Sequence, residues 1–120
     1  MKRPLREKSF AFALRVVKLT KHLRQEQKEY VLSKQLLRSG TAVGALVREA
    51  EQAESRPDFI HKLAIALKEA NETQYWLDLL HQSGYIEPNG YQSINQDCIE
   101  LLKLLTSIIK TTKANTKKPK

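Results

Sequence analysis

Apolar residues recur at helical spacing along almost the whole chain, in four runs parted by three short polar breaks. The first break is Gln25-Glu26-Gln27-Lys28. The second is Ser55-Arg56-Pro57-Asp58, where Ser55 suits a helix cap and Pro57 a first helical turn. The third, from Ser83 to Gly90, is dense in turn residues. The runs between them predict helices near 5–24, 29–54, 57–82 and 91–112, followed by a basic C-terminal tail at 113–120. Short connections make successive helices antiparallel neighbours. The expected fold is therefore all-α, one domain over 1–120, an antiparallel up-down-up-down four-helix bundle.

The fourth run has the cleanest face. At 100° per residue, Tyr91, Ile94, Cys98, Leu101, Leu102, Leu105, Ile108 and Ile109 fall within an arc of roughly 120°. Cys98 lies in that stripe, so it is expected to be an inert core thiol. The third run has a core stripe of Phe59, Ile60, Leu63, Ala66, Leu67, Ala70 and Leu77. It also has a second apolar set, Ala64, Ile65, Tyr75, Trp76 and Leu79, on roughly the opposite face. The first run repeats this, with Phe12, Val16, Leu19 and Leu23 on one seam and Phe10, Leu14 and Val17 on another. A helix in an isolated bundle needs one apolar face, so the recurrence of a second points to self-association.

The second run contains Gly40 and Gly44, each costing about 1 kcal/mol inside a helix. Leu36, Leu37, Val43, Leu46 and Val47 keep the helical period through them. Small residues four apart let another helix backbone come close, and close packing is the role expected of both glycines. A phosphate-cradling loop is excluded: no strand precedes, and no Gly-Lys-Ser/Thr follows.

The formal net charge of +8 is unevenly placed. In residues 1–8, Lys2, Arg3, Arg6 and Lys8 stand against Glu7, and residues 110–120 carry five lysines with no acid. The body between them, residues 9–109, holds 12 basic and 12 acidic side chains and is neutral. On the first helix Lys8, Arg15, Lys18 and His22 share one side, an arrangement suited to phosphate contacts that do not read sequence. No RNA-recognition or helix-turn-helix signature accompanies them. One cysteine excludes an internal disulfide framework and a cysteine-based zinc site. No run approaches the roughly twenty apolar residues of a membrane span, and no secretory signal is evident, so a cytoplasmic protein is expected.

Catalytic constellations are not found. His22, His61 and His81 lack metal-site spacing, and no Glu-x-x-His pair of a di-iron bundle occurs. Glu69 and Glu72 stand three apart, which suits ion pairing with Lys62, Lys68 or an arginine of a neighbouring helix. No cofactor or metal is expected.

Two stretches are familiar: QLLRSGTAVGALVREA from Gln35 to Ala50, and DFIHKLAIALKEANETQYWLDLL from Asp58 to Leu80. They resemble the four-helix-bundle proteins encoded by intervening sequences of 23S ribosomal RNA genes. The resemblance implies small antiparallel bundles that form homopentamers. A distant relative is the accessory protein of diversity-generating retroelements, a basic pentamer that engages nucleic acid and reverse transcriptase. Arg38, Glu49, Lys62, Lys68, Glu69 and Glu72 match the pattern and suit an inter-helix charge network. Ala42 and Leu46 depart from it, standing where the pattern has Ser and Asn.

The expectation is a non-enzymatic bundle that assembles with itself, as a pentamer on the resemblance. It would contact RNA or a ribonucleoprotein through Lys8, Arg15, Lys18, Lys113, Lys117 and Lys118. The alternative is a protein-binding adaptor for a mobile-element or ribonucleoprotein partner. Ile65, Tyr75, Trp76 and Leu79 are its candidate interface, as they are for an oligomer.

Overall fold

The structure, a computed structural model, describes the backbone of residues 3–117 and the side chains of residues 4–115. Four helices follow in order: α1 (Arg3–Gln25), α2 (Leu32–Glu51), α3 (Arg56–Gln82) and α4 (Pro88–Lys117). Each packs on its neighbour in the chain and α4 returns to α1, while the backbones of the diagonal pairs stay further apart among the described residues. This is an antiparallel four-helix bundle, 57 × 22 × 20 Å.

Four helix ends differ from the expected ranges by three residues or more, each for a local reason. One is the end of α2, which falls at Glu51 and not at 54 because the Gln52 and Ala53 N–H groups turn back to the Glu49 and Ala50 carbonyls at 3.0 and 3.1 Å. α2 begins at Leu32 because the Glu29 carboxylate takes the backbone N–H groups of Val31, Leu32 and Ser33, at 3.3, 3.0 and 2.7 Å. Those are orphan donors at a helix start, and a half-turn of the chain is used to bring the nearly buried Glu29 onto them. α4 begins three residues early, at Pro88, whose fixed φ and missing N–H suit the first helical position. At its other end α4 continues through Lys117, so residues 113–117 of the expected tail are helical. Nothing between Lys110 and Lys117 is a glycine or proline that would stop it.

The remaining ends follow ordinary capping chemistry. Ser55 Oγ accepts the Asp58 N–H at 3.1 Å at the start of α3. α3 ends on Gly84, in the left-handed region at φ 90. There Tyr85 N–H reaches the Leu80 carbonyl at 2.9 Å and Gly84 N–H the His81 carbonyl at 3.1 Å.

The core is one contiguous cluster. Its largest fully buried side chains include Leu5, Phe12, Leu23, Leu36, Leu63, Leu77, Leu101 and Leu105, each contributing about 1.5–3 kcal/mol by leaving water. Cys98 is buried among them, and its Sγ–H points to the Ala70 carbonyl at 3.4 Å. Gly40 and Gly44 lie where α2 crosses α1. A Cβ on Gly40 would stand 2.8 Å from Val16 Cγ2, and one on Gly44 would stand 3.3 Å from the Ser9 carbonyl oxygen. Between α2 and α3 the buried Ser39 and Thr73 hydroxyls meet at 2.9 Å, and Thr73 donates to the Glu69 carbonyl at 2.8 Å.

Candidate nucleic-acid interface

The antiparallel topology brings the two basic termini of the sequence to one end of the bundle. Arg6 lies 3.8 Å from Glu51 at the end of α2, and Lys8 lies 2.9 Å from Glu100 on α4, contacts that mark the register of the helices. From Glu100 level with Lys8, α4 runs on past the start of α1 by about twelve residues, roughly 18 Å. That extension carries Lys110 and Lys113, both exposed, and ends at Lys117. No acidic residue follows Glu100 in the sequence. Lys118 lies outside the described residues.

The basic side of α1 is less open than its sequence implies. Lys8 is paired with Glu100, and Arg15 is paired with Asp97 at 2.6 Å while also donating to the Ser93 hydroxyl at 2.9 Å. Both pairs cross the α1–α4 seam, where the two helices meet less extensively than the other neighbouring pairs do. They are about half exposed, and exposed pairs of this kind contribute about 0–1 kcal/mol, so a phosphate can compete for either cation. Lys18 is exposed and has no ion-pair partner among the described residues. The sequence does not single out Asp97 and Glu100 as partners, because periodicity within one helix does not give the register between two.

On α2 and α3 the expected charge network is assembled in part. Arg38 reaches Glu69 Oε1 at 3.3 Å and Glu72 Oε2 at 2.5 Å, and Lys62 reaches Glu49 at 3.2 Å. Lys68 is exposed and makes no ion pair among the described residues. Trp76 Nε1–H donates to the same Glu72 oxygen at 3.0 Å. The indole bond, then the Arg38 guanidinium, hold the Glu72 carboxyl below its ordinary value, and Arg38 is raised in return. A depressed carboxylate contributes stability above its unfolded pKa and loses it as the pH falls through the folded one. Trp76 is the one tryptophan, so its fluorescence reports this proton. An acid titration should show a transition below the usual carboxylate midpoint, moved upward in Arg38→Ala. A midpoint indifferent to that change would detach Arg38 from Glu72.

The second apolar faces are only partly covered in the single chain. On α1, Phe10, Leu14 and Val17 are 48%, 53% and 43% exposed, and Arg48 of α2 lies over the Phe10 ring at 5.1 Å. On α3, Tyr75 is 58% exposed and meets Trp76 edge-on at 5.0 Å, while Ile65, Trp76 and Leu79 are half-buried. Of the two residues that depart from the family pattern, Ala42 is half-buried and Leu46 packs against the core.

Groups with reactive side chains are placed structurally. Burial pushes the Cys98 thiol up to about 12, away from the thiolate that nucleophilic chemistry needs. Tyr91 donates its hydroxyl to Asp78, and that bond, with burial, raises the phenol to about 12. His81 stacks on Tyr91 at 4.3 Å and its Nδ1–H donates to the Ile86 carbonyl at 2.9 Å. Among the described residues no group of three or more His, Cys, Asp or Glu is arranged to hold a metal ion. No described helix is long and apolar enough to cross a membrane.

Comparison with known proteins bears on the fold and the family. No curated protein matches. Six solved chains match. One is the crystal structure of a protein of unknown function from the S23 ribosomal protein family of Bacteroides thetaiotaomicron VPI-5482. It is 62% identical, with a TM-score of 0.88, over 88% of this chain and 98% of that one. The family model described as 23S rRNA-intervening sequence protein matches residues 3–107, which include all of α1, α2 and α3 and most of α4. The chain belongs to the 23S rRNA-intervening sequence protein family.

Proposed function

We propose that this protein is a non-enzymatic, self-assembling binding module that contacts structured RNA through its basic end and the Lys8, Arg15 and Lys18 side of α1. The observation that carries the reading is the extension of α4, acid-free after Glu100, with Lys110 and Lys113 exposed beyond the basic start of α1. Cations spaced along a helix with no carboxylate between them attract a polyanion by releasing its counterions, without reading its sequence. A salt-titrated filter-binding assay with structured ribosomal RNA tests it. Binding that weakens steeply with salt supports the reading, and no binding at low salt ends it.

Self-assembly rests on Phe10, Leu14 and Val17, which stand on successive turns of α1 and remain about half exposed. A second copy of the chain is the proposed cover, with the pentamer of the family resemblance as the expected stoichiometry. Leu14→Glu should reduce the solution mass to that of one chain, 13.8 kDa, while leaving the bundle helical. An undiminished mass would place the interface elsewhere. A protein-binding adaptor is the second reading, favoured by the exposed Tyr75 ring beside Trp76. Partner capture that resists nuclease and is lost in Trp76→Ala would favour it.

A further inference from the structure

Where α1 passes the loop between α3 and α4, two adjoining grooves of about 440 and 370 Å³ share Leu19, Ile86 and Gly90 in their walls. His22 and Tyr85 line the first, and Arg15 and Lys18 line the second. The floor is apolar, since Ile86 is buried in the core and Leu19 packs against it. Tyr85 is held in place by its backbone: its N–H reaches Leu80 and its carbonyl accepts from Gln27 Nε2 at 3.2 Å. Lys18 and His22 are one helical turn apart on α1, both exposed, and neither side chain has a partner among the described residues. Glu87 is the one acidic residue in either lining.

We infer that this seam takes an unpaired nucleotide of RNA, its base against Tyr85 and His22 and its phosphate on Lys18. The inference rests on the RNA reading above and adds a preference to it. The Tyr85 ring and the His22 imidazole, which line the same groove, offer π-faces to a base, and single-stranded binders combine such platforms with a cationic path for the backbone. In a duplex the base faces are already stacked on one another, so only an unpaired nucleotide gains from the ring. Arg15, held by Asp97 and Ser93, extends the positive edge along the same groove. The α4 extension itself carries no ring, because no aromatic residue follows Tyr91 in the sequence.

The test is fluorescence anisotropy on the full chain at low salt, with a short labelled oligoadenylate and a blunt-ended, fully paired RNA duplex of equal phosphate count. The variants are Tyr85→Leu, which keeps an apolar side chain against the core, and Lys18→Glu, at an exposed position that leaves packing untouched. The wild type should favour the single strand, and Tyr85→Leu should weaken that binding about tenfold with duplex binding held. Lys18→Glu should weaken the single strand more than the duplex. Unchanged single-strand binding in both variants, or equal losses on both RNAs in Tyr85→Leu, would overturn this inference and leave the RNA reading standing. Absence of binding to either RNA by the wild type would overturn both.

Discussion

Gly40→Leu is expected to destabilise the bundle by about 3 kcal/mol or more, lowering the melting temperature by on the order of 10 °C. Its Cβ alone would stand 2.8 and 2.9 Å from the two Val16 methyl carbons, inside the contact distance that side chains tolerate. Val16 is itself fully buried, so it has no open side into which to retreat. The rest of the leucine would force α1 and α2 apart along a crossing that the core depends on. Gly40→Ala sets the same clash against a gain of about 1 kcal/mol in helix propensity, so its net effect is smaller. Gly44→Ala meets the Ser9 carbonyl at 3.3 Å from a half-buried position and should be nearly neutral. Pairing Gly40→Ala with Val16→Ala removes the clashing methyls, and the double variant should lose less than the two single losses combined. Thermal melts of these four variants and of Val16→Ala alone check this. Equal losses at positions 40 and 44 would show that the Val16 contact is not what limits the crossing.

Removing residues 113–120 should weaken RNA binding about tenfold or more at low salt, with melting almost unchanged. The deletion takes away Lys113, Lys117, Lys118 and Lys120, and no acid. It leaves the core intact, since Ile109 is the last buried residue of α4 among those whose side chains are described, and positions 113–115 are exposed. Each lysine that contacts a phosphate also contributes just under one unit to the slope of log affinity against log salt, so the slope should fall along with the affinity. Equal affinity in the shortened chain would remove the basic end from the interface.

How far the sequence could be read depended on whether a feature was internal to one helix. The α4 stripe of Ile94, Cys98, Leu101, Leu105 and Ile109 is buried as its period implied, because burial of a single helix face follows from spacing alone. The glycine pair lies at a helix crossing for the same reason: two small residues four apart mark one side of one helix. Lys8 and Arg15 were harder to read. Their shared side was visible, but their carboxylate partners Glu100 and Asp97 lie more than eighty residues away, and the register that joins them is set by packing. Glu29 looked like part of a helix and is its cap, a distinction made by the chain reversal at Lys28, where φ is 57. Pro88 lay in a turn-rich string and is the first residue of α4, since proline suits a helix start as well as a turn. The groove beside Tyr85 joins residues of α1 to a loop some sixty residues further on, which no local pattern indicates.

The most direct test of the account is light scattering on a sizing column, with the chain run alone and with structured ribosomal RNA at low salt. Alone, the chain should give a multiple of 13.8 kDa near five chains, insensitive to salt because apolar faces hold it. With RNA, one particle should form whose mass is that oligomer plus the RNA, coming apart into oligomer and free RNA as salt rises. A single-chain mass that elutes separately from the RNA at low salt would contradict both halves of the proposal.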